Sequence, residues 1–184
     1  MLYSEYKASR DLAWEILINE NVTELPVSVS AICKSLGIKI KLYEPKDGNS
    51  GSSTIIDGKA VIFINRNDLT ERQRFTAAHE LGHVLLGHVG KYQLVSREPT
   101  DNDNPIERAA NIFASRLLAP ACVLWGCGCK TAEEISRLCH ISKQAAQFRA
   151  ERMKILYERN AFLKSPLERK VYESFMRYIQ LNKL

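Results

Sequence analysis

The sequence predicts an α+β fold in which a helix bearing an HExxH motif packs on a small antiparallel sheet and is followed by a helical region with a helix-turn-helix-like segment. Three observations predict it. His79, Glu80 and His83 lie in FTAAHELGHVLLG, Phe75 to Gly87, where Phe75, Ala78, Gly82 and Leu86 recur at helical spacing. Just before it, Asp57 and Gly58 separate two short β-rich runs, the strongest short-range hairpin signal. After Asn104 the signals are those of helix starts, at Asn104, Thr131, Ser142 and Ser165.

At 184 residues the chain suits one compact domain or a core with a small appendage. We expect residues 1–120 to form the core and residues 121–184 a helical region packed on it. The net charge of +5 is dispersed, so it permits nucleic-acid contact without arguing for it. The amino terminus does not resemble a signal peptide and no apolar run approaches membrane-spanning length, so a cytoplasmic protein is expected. Five cysteines, an odd number, read as free thiols in such a chain. Cys122, Cys127 and Cys129 cluster, but not at the CxxC spacing of a zinc knuckle.

In chain order, Ser4 to Glu20 carries Tyr6, Leu12, Ala13, Ile16 and Leu17 at helical spacing and predicts a first helix. Ser30 to Leu36 predicts a short second helix closed by Gly37, and Ile38 to Tyr43 a half-exposed strand. Glu44 to Ser53, rich in Gly, Asn, Ser, Asp and Pro, predicts a loop. Thr54 to Ile56 and Ala60 to Ile64 are the hairpin strands. In zinc peptidases generally, an edge strand of such a sheet can accept an extended substrate as a further strand; the sequence does not say which edge. Thr70 and Gln73 have capping-box spacing, placing a helix start near Glu71, and Gly87 ends that helix. Lys91 to Asn104 predicts a polar surface loop. Asn104 and Pro105 open a helix through Ile106, Ala110, Phe113 and Leu117 that Pro120 stops. Thr131 and Glu134 repeat the capping-box spacing, and Ser142 caps a following helix after a turn at Cys139 to Ile141. Read as a DNA reader, this pair would present Lys143, Gln144, Gln147 and Arg149. The basic residues form no single-sided stripe, so bracing of the core or holding of a protein is the preferred reading, and DNA binding is not favoured. Ser165, Pro166 and Glu168 start a last helix carrying Leu167, Val171, Phe175, Tyr178 and Ile179.

His79 and His83, four apart on one helix face, can direct both imidazoles at one ion, which is the geometry zinc needs. Gly82 in a helix interior costs roughly 1 kcal/mol relative to Ala and implies a close approach by a strand or a substrate. Glu80, about 100° round from His79, is placed to act as a general base on a zinc-activated water. A catalytic site needs a third ligand. Glu107, near the start of the helix after the loop, is the choice, with Asn111 one turn later as hydrogen-bond support for a ligating imidazole. Spacing alone equally allows Glu107 to cap its own helix from Asn104. His88 lies off the shared face, Val89 occupies the position of a metzincin third histidine, and Asp101 and Asp103 are reserves.

FTAAHELGHVLLGH, then IERAANIFASRLLAP, then EEISRLCHISKQAAQFR resemble, in order, the signature blocks of the ImmA/IrrE family of zinc metallo-endopeptidases. The resemblance covers roughly residues 30 to 150. It implies a zincin-like fold, Zn2+ as cofactor, His79, His83 and Glu107 as its ligands, and Glu80 as catalytic base. Ala109 stands where members often carry a second acid. The resemblance is to the short anti-repressor type from mobile elements, so the implied protein substrate is a helix-turn-helix repressor of a phage or integrative element. The oxyanion donor is unassigned among Tyr92, His88 and His140. The alternative function is a non-proteolytic, metal-binding transcription regulator or partner-binding protein; neither reading involves a membrane.

Overall fold

The computed structural model describes residues 3–46, 48–90 and 104–184. Helices α1 (Tyr3–Asn19) and α2 (Val29–Ser35) lead into strands β1 (Lys39–Tyr43), β2 (Gly51–Ile56) and β3 (Lys59–Asn65). Helix α3 (Thr70–Leu85) follows, then α4 (Pro105–Leu118), α5 (Ala121–Gly126), α6 (Ala132–Cys139), α7 (Lys143–Glu158), α8 (Pro166–Ser174) and α9 (Met176–Leu181). The fold is α+β, as the sequence predicts. The chain forms two compact units, one comprising residues up to Arg10 with Ser28–Ala114, the other Asp11–Val27 with Ser115–Leu184.

In the first unit, Asp57 and Gly58 both take positive φ, 49° and 73°, the turn conformation whose twist matches that of a hairpin. They join β2 to β3 antiparallel, and the sheet order is β1-β3-β2. The sheet is not antiparallel throughout, because β1 pairs parallel with the central β3. Two reversals of direction separate β1 from β3, so the two run the same way. β2 begins at Gly51, inside the stretch expected to be loop. A Cβ at Gly51 would strike the Thr76 side chain and lie 2.7 Å from the Phe63 carbonyl oxygen. The small residues that mimic a loop signal here are what lets β2 press against α3. Val61, Ile62 and Ile64 of β3 are buried with Ala77, Ala78 and Leu81 of α3.

Helix α3 starts without the expected capping box. Its N-cap is Leu69, which makes no side-chain bond, and Gln73 instead donates from Nε2 to the carbonyls of Arg66 and Asp68 at 3.0 and 2.9 Å. Gln73 thereby ties the β3–α3 turn. The helix ends as predicted, with Gly87 at φ 70°.

In the second unit, Leu124, Ile135, Met153, Val171 and Phe175 form the interior. The Thr131–Glu134 capping box is present on α6, His140 turns the chain at φ 50°, and Ser142 caps α7. Lys143, Gln144 and Gln147 are exposed on α7, whereas Arg149, expected to face outward with them, is buried. The predicted last helix is interrupted at Phe175, giving α8 and α9. Among the described residues, the helical stretch Pro105–Gly126 is long and apolar enough to cross a membrane, but it is mostly buried. As the sequence predicts, the helix stops ahead of Pro120: α4 ends at Leu118, and Pro120 is the extended N-cap of the separate helix α5.

Candidate metal centre

Three side chains of the first unit meet between α3 and α4. His79 Nε2 and His83 Nε2 lie 3.0 Å apart, and Glu107 places Oε2 3.1 Å from His79 Nε2 and Oε1 3.3 Å from His83 Nε2. Ligand atoms about 2.0 Å from a tetrahedral zinc are about 3.3 Å from one another. The three donors therefore stand close to the spacing such an ion would impose. Among the described residues, this is the set of His, Cys, Asp or Glu donors that converges in this way.

Glu107 does not cap its own helix. Asn104 Oδ1 accepts instead from the Ile106 amide at 2.9 Å, leaving the Glu107 carboxylate to the histidines. Their hydrogen bonds hold the Glu107 carboxyl well below the usual carboxylate range, against the opposing effect of burial. Ala109, where members of the family that the sequence resembles often carry a second acid, is buried, and the three donors meet without it.

Each histidine has a partner at its other nitrogen. Asn111 Oδ1 lies 2.9 Å from His79 Nδ1; an amide oxygen can only accept, so this contact favours a proton on Nδ1, the tautomer in which Nε2 can bind an ion. His83 Nδ1 lies 3.1 Å from His88 Nδ1. Burial and the neighbouring His83 push the His88 imidazole down to about 4, keeping it neutral at physiological pH. With protons on both Nδ1 atoms, the two Nε2 atoms would turn lone pairs, beside the Glu107 carboxylate, to an ion.

Glu80 is buried on the side of α3 that faces β2, where Ser53 donates from Oγ to Glu80 Oε2 at 2.7 Å. Gly82 is explained by helix packing and not by a strand or substrate. A Cβ there would lie 2.9 Å from Phe113 Cδ1 and 3.3 Å from Ala110 Cα, both on α4. α3 and α4 approach closely because Gly82 leaves room, and that approach brings Glu107 to the histidines.

The structure thus gathers His79, His83, Glu107, Glu80 and Asn111 in one place. Sequence reasoning missed Ser53, whose strand was expected as loop, and did not pair His88 with His83. Tyr92, Asp101 and Asp103, in the expected loop, lie outside the described residues. His140 caps α6 in the second unit. The cysteines are buried and form no disulfide, and burial pushes the Cys122 and Cys129 thiols up to about 12 and Cys127 to about 11. Thiols so held are poor metal ligands.

The sequence model of the IrrE N-terminal-like domain, a peptidase family, matches residues 33–151. No curated protein matches the chain.

Proposed function

Because the chain belongs to the IrrE N-terminal-like peptidase family, we propose that it is a zinc-dependent endopeptidase that cuts a protein substrate in the cytoplasm. The substrate class is a helix-turn-helix repressor of a phage or integrative element, as the resemblance of its signature blocks to short anti-repressor members implies. Five free cysteines agree with a reducing compartment.

The observation that carries this reading is the convergence of His79 Nε2, His83 Nε2 and the Glu107 carboxylate next to a buried Glu80. These three residues would hold the ion. Three protein donors suit a catalytic zinc, since structural sites usually close with four. When bound, zinc supplies Lewis-acid activation of water and of the scissile carbonyl. Glu80 takes the proton of the attacking water and delivers it to the leaving nitrogen. Ser53 orients the Glu80 carboxylate, and Asn111 keeps His79 in the ligating tautomer.

The edge strands of the sheet are β1 and β2. β1 carries the exposed Lys39 and Lys41, the kind of charge that deters strand addition. β2, Gly51–Ile56, carries no charge and no proline, and through Ser53 it touches Glu80. A substrate strand added to β2 would run past the base.

A non-proteolytic regulator remains the rival, favoured by the exposed Lys143, Gln144 and Gln147 on a helix preceded by a capped turn. Glu80→Gln separates the two. The expected result is full zinc content with cleavage of co-expressed repressor candidates lost by at least about 100-fold. Biological activity that survives in zinc-loaded Glu80→Gln would sink the peptidase reading.

A further inference from the structure

α3 ends in a hydrogen-bond pattern that bears on the metal centre. The Gly87 amide donates to the Val84 carbonyl at 3.2 Å and the His88 amide to the His83 carbonyl at 2.9 Å, with Gly87 at φ 70°. These are the two bonds of a Schellman motif. In that motif the residue after the glycine comes back over the residue five positions earlier, usually in an apolar contact. Here those residues are His88 and His83. Their Nδ1 atoms are 3.1 Å apart, and their rings meet edge to face at a centroid distance of 5.2 Å.

For His83 Nε2 to offer a lone pair to an ion, its proton must sit on Nδ1, and in a side chain this buried that proton needs an acceptor. His88 Nδ1 is at hydrogen-bond distance and supplies it. We propose that His88 is a positioning residue for the metal centre, installed by the Schellman turn to accept the His83 Nδ1 proton and so hold His83 in its metal-binding tautomer and orientation. It does for His83 what Asn111 does for His79, from a different element. His88 is not itself a ligand, because it stands on the far nitrogen of His83.

This inference rests on the zinc site of the proposed function but not on proteolysis, and its test reads metal affinity. Zinc affinity is measured on the full chain by competition with a chromophoric chelator at pH 7.5, for wild type, His88→Leu and His88→Asn. Asparagine can place an amide oxygen near the former Nδ1, whereas leucine offers no acceptor. The expected result is zinc binding weakened about 10–100-fold in His88→Leu and largely restored in His88→Asn, with equal melting temperatures for the two metal-free variants. A visible spectrum of the cobalt-loaded His88→Leu protein that keeps the wild-type tetrahedral pattern would support a role behind the ligand. Wild-type affinity in His88→Leu, or equal losses in both variants, would overturn the inference. So would a cobalt spectrum showing a lost nitrogen ligand. A wild type that binds no zinc would overturn the reading of the centre itself, and is thereby told apart from a failure of His88 alone.

Discussion

At the scale of single residues, this protein uses the absence of side chains as much as their presence. Gly82 lets α4 come within reach of α3, and Glu107 and Asn111 ride in on α4. Alanine at a helix-interior glycine usually stabilises by roughly 1 kcal/mol. Here the added methyl would meet the buried Phe113 ring at 2.9 Å and backbone at 3.3 Å. Overpacking of that kind costs about 1–3 kcal/mol, so Gly82→Ala should lower the midpoint of urea unfolding and also weaken zinc binding. An unchanged zinc affinity would show that the α3–α4 approach does not set the site. The thiols give a second prediction. Burial raises Cys33, Cys122 and Cys129 to about 12 from the ordinary thiol value of 9.0. The folded state therefore holds these protons more tightly than the unfolded state. Their contribution to stability is complete below about 9 and is lost as pH rises from 9 toward 12. Unfolding midpoints measured from pH 8 to 10.5 should fall across that range, and alkylation at pH 8 should be slow until the protein is denatured.

At the scale of elements, β2 is the part whose role changes between sequence and structure. Gly51–Ser53 reads as loop because glycine and serine are poor strand formers, yet the strand needs them small. Gly51→Ala would force β2 away from α3, through the Thr76 side chain and the Phe63 carbonyl. Ser53 would then draw back from Glu80. Peptidase activity is expected to drop at least about 10-fold while zinc content stays at the wild-type level, because no ligand lies on β2. Loss of zinc in Gly51→Ala would contradict the separation of base and ligands between elements. Other boundaries were legible for local reasons. The Asp57–Gly58 turn, the Thr131–Glu134 box and the Ser142 and Ser165 caps are each made by residues within four of one another. The Thr70–Gln73 pair has the same spacing and fails, because Gln73 finds two carbonyls in the turn before the helix.

At the scale of the whole molecule, the candidate metal site joins parts of the chain remote in sequence, His79 and His83 to Glu107. An ion bound to such a site and absent from the unfolded chain stabilises by mass action, about 4 kcal/mol when free zinc is 1,000 times its dissociation constant. Chelation should therefore lower the melting temperature by several degrees, and added zinc should restore it. Calcium or magnesium should not, since two imidazoles suit zinc better than hard oxygen-seeking ions. A melting temperature indifferent to chelator would argue against a resident ion.

By itself the sequence determined the α+β class, the helix bearing the two histidines, the hairpin and most caps, because each depends on residues near one another along the chain. HExxH needs only a helix to bring its imidazoles together. It also named Glu107 and Asn111, while leaving Glu107 undecided between ligand and cap, since both uses share one spacing. Only the tertiary structure shows the Glu107 carboxylate against the two imidazoles, along with the parallel β1–β3 pairing, the burial of Arg149, Ser53 on Glu80 and His88 behind His83. The reason is physical. Whether a carboxylate caps its helix or faces two imidazoles depends on how closely two helices pack, and the space at Gly82 settles that only once Phe113 and Ala110 stand against it.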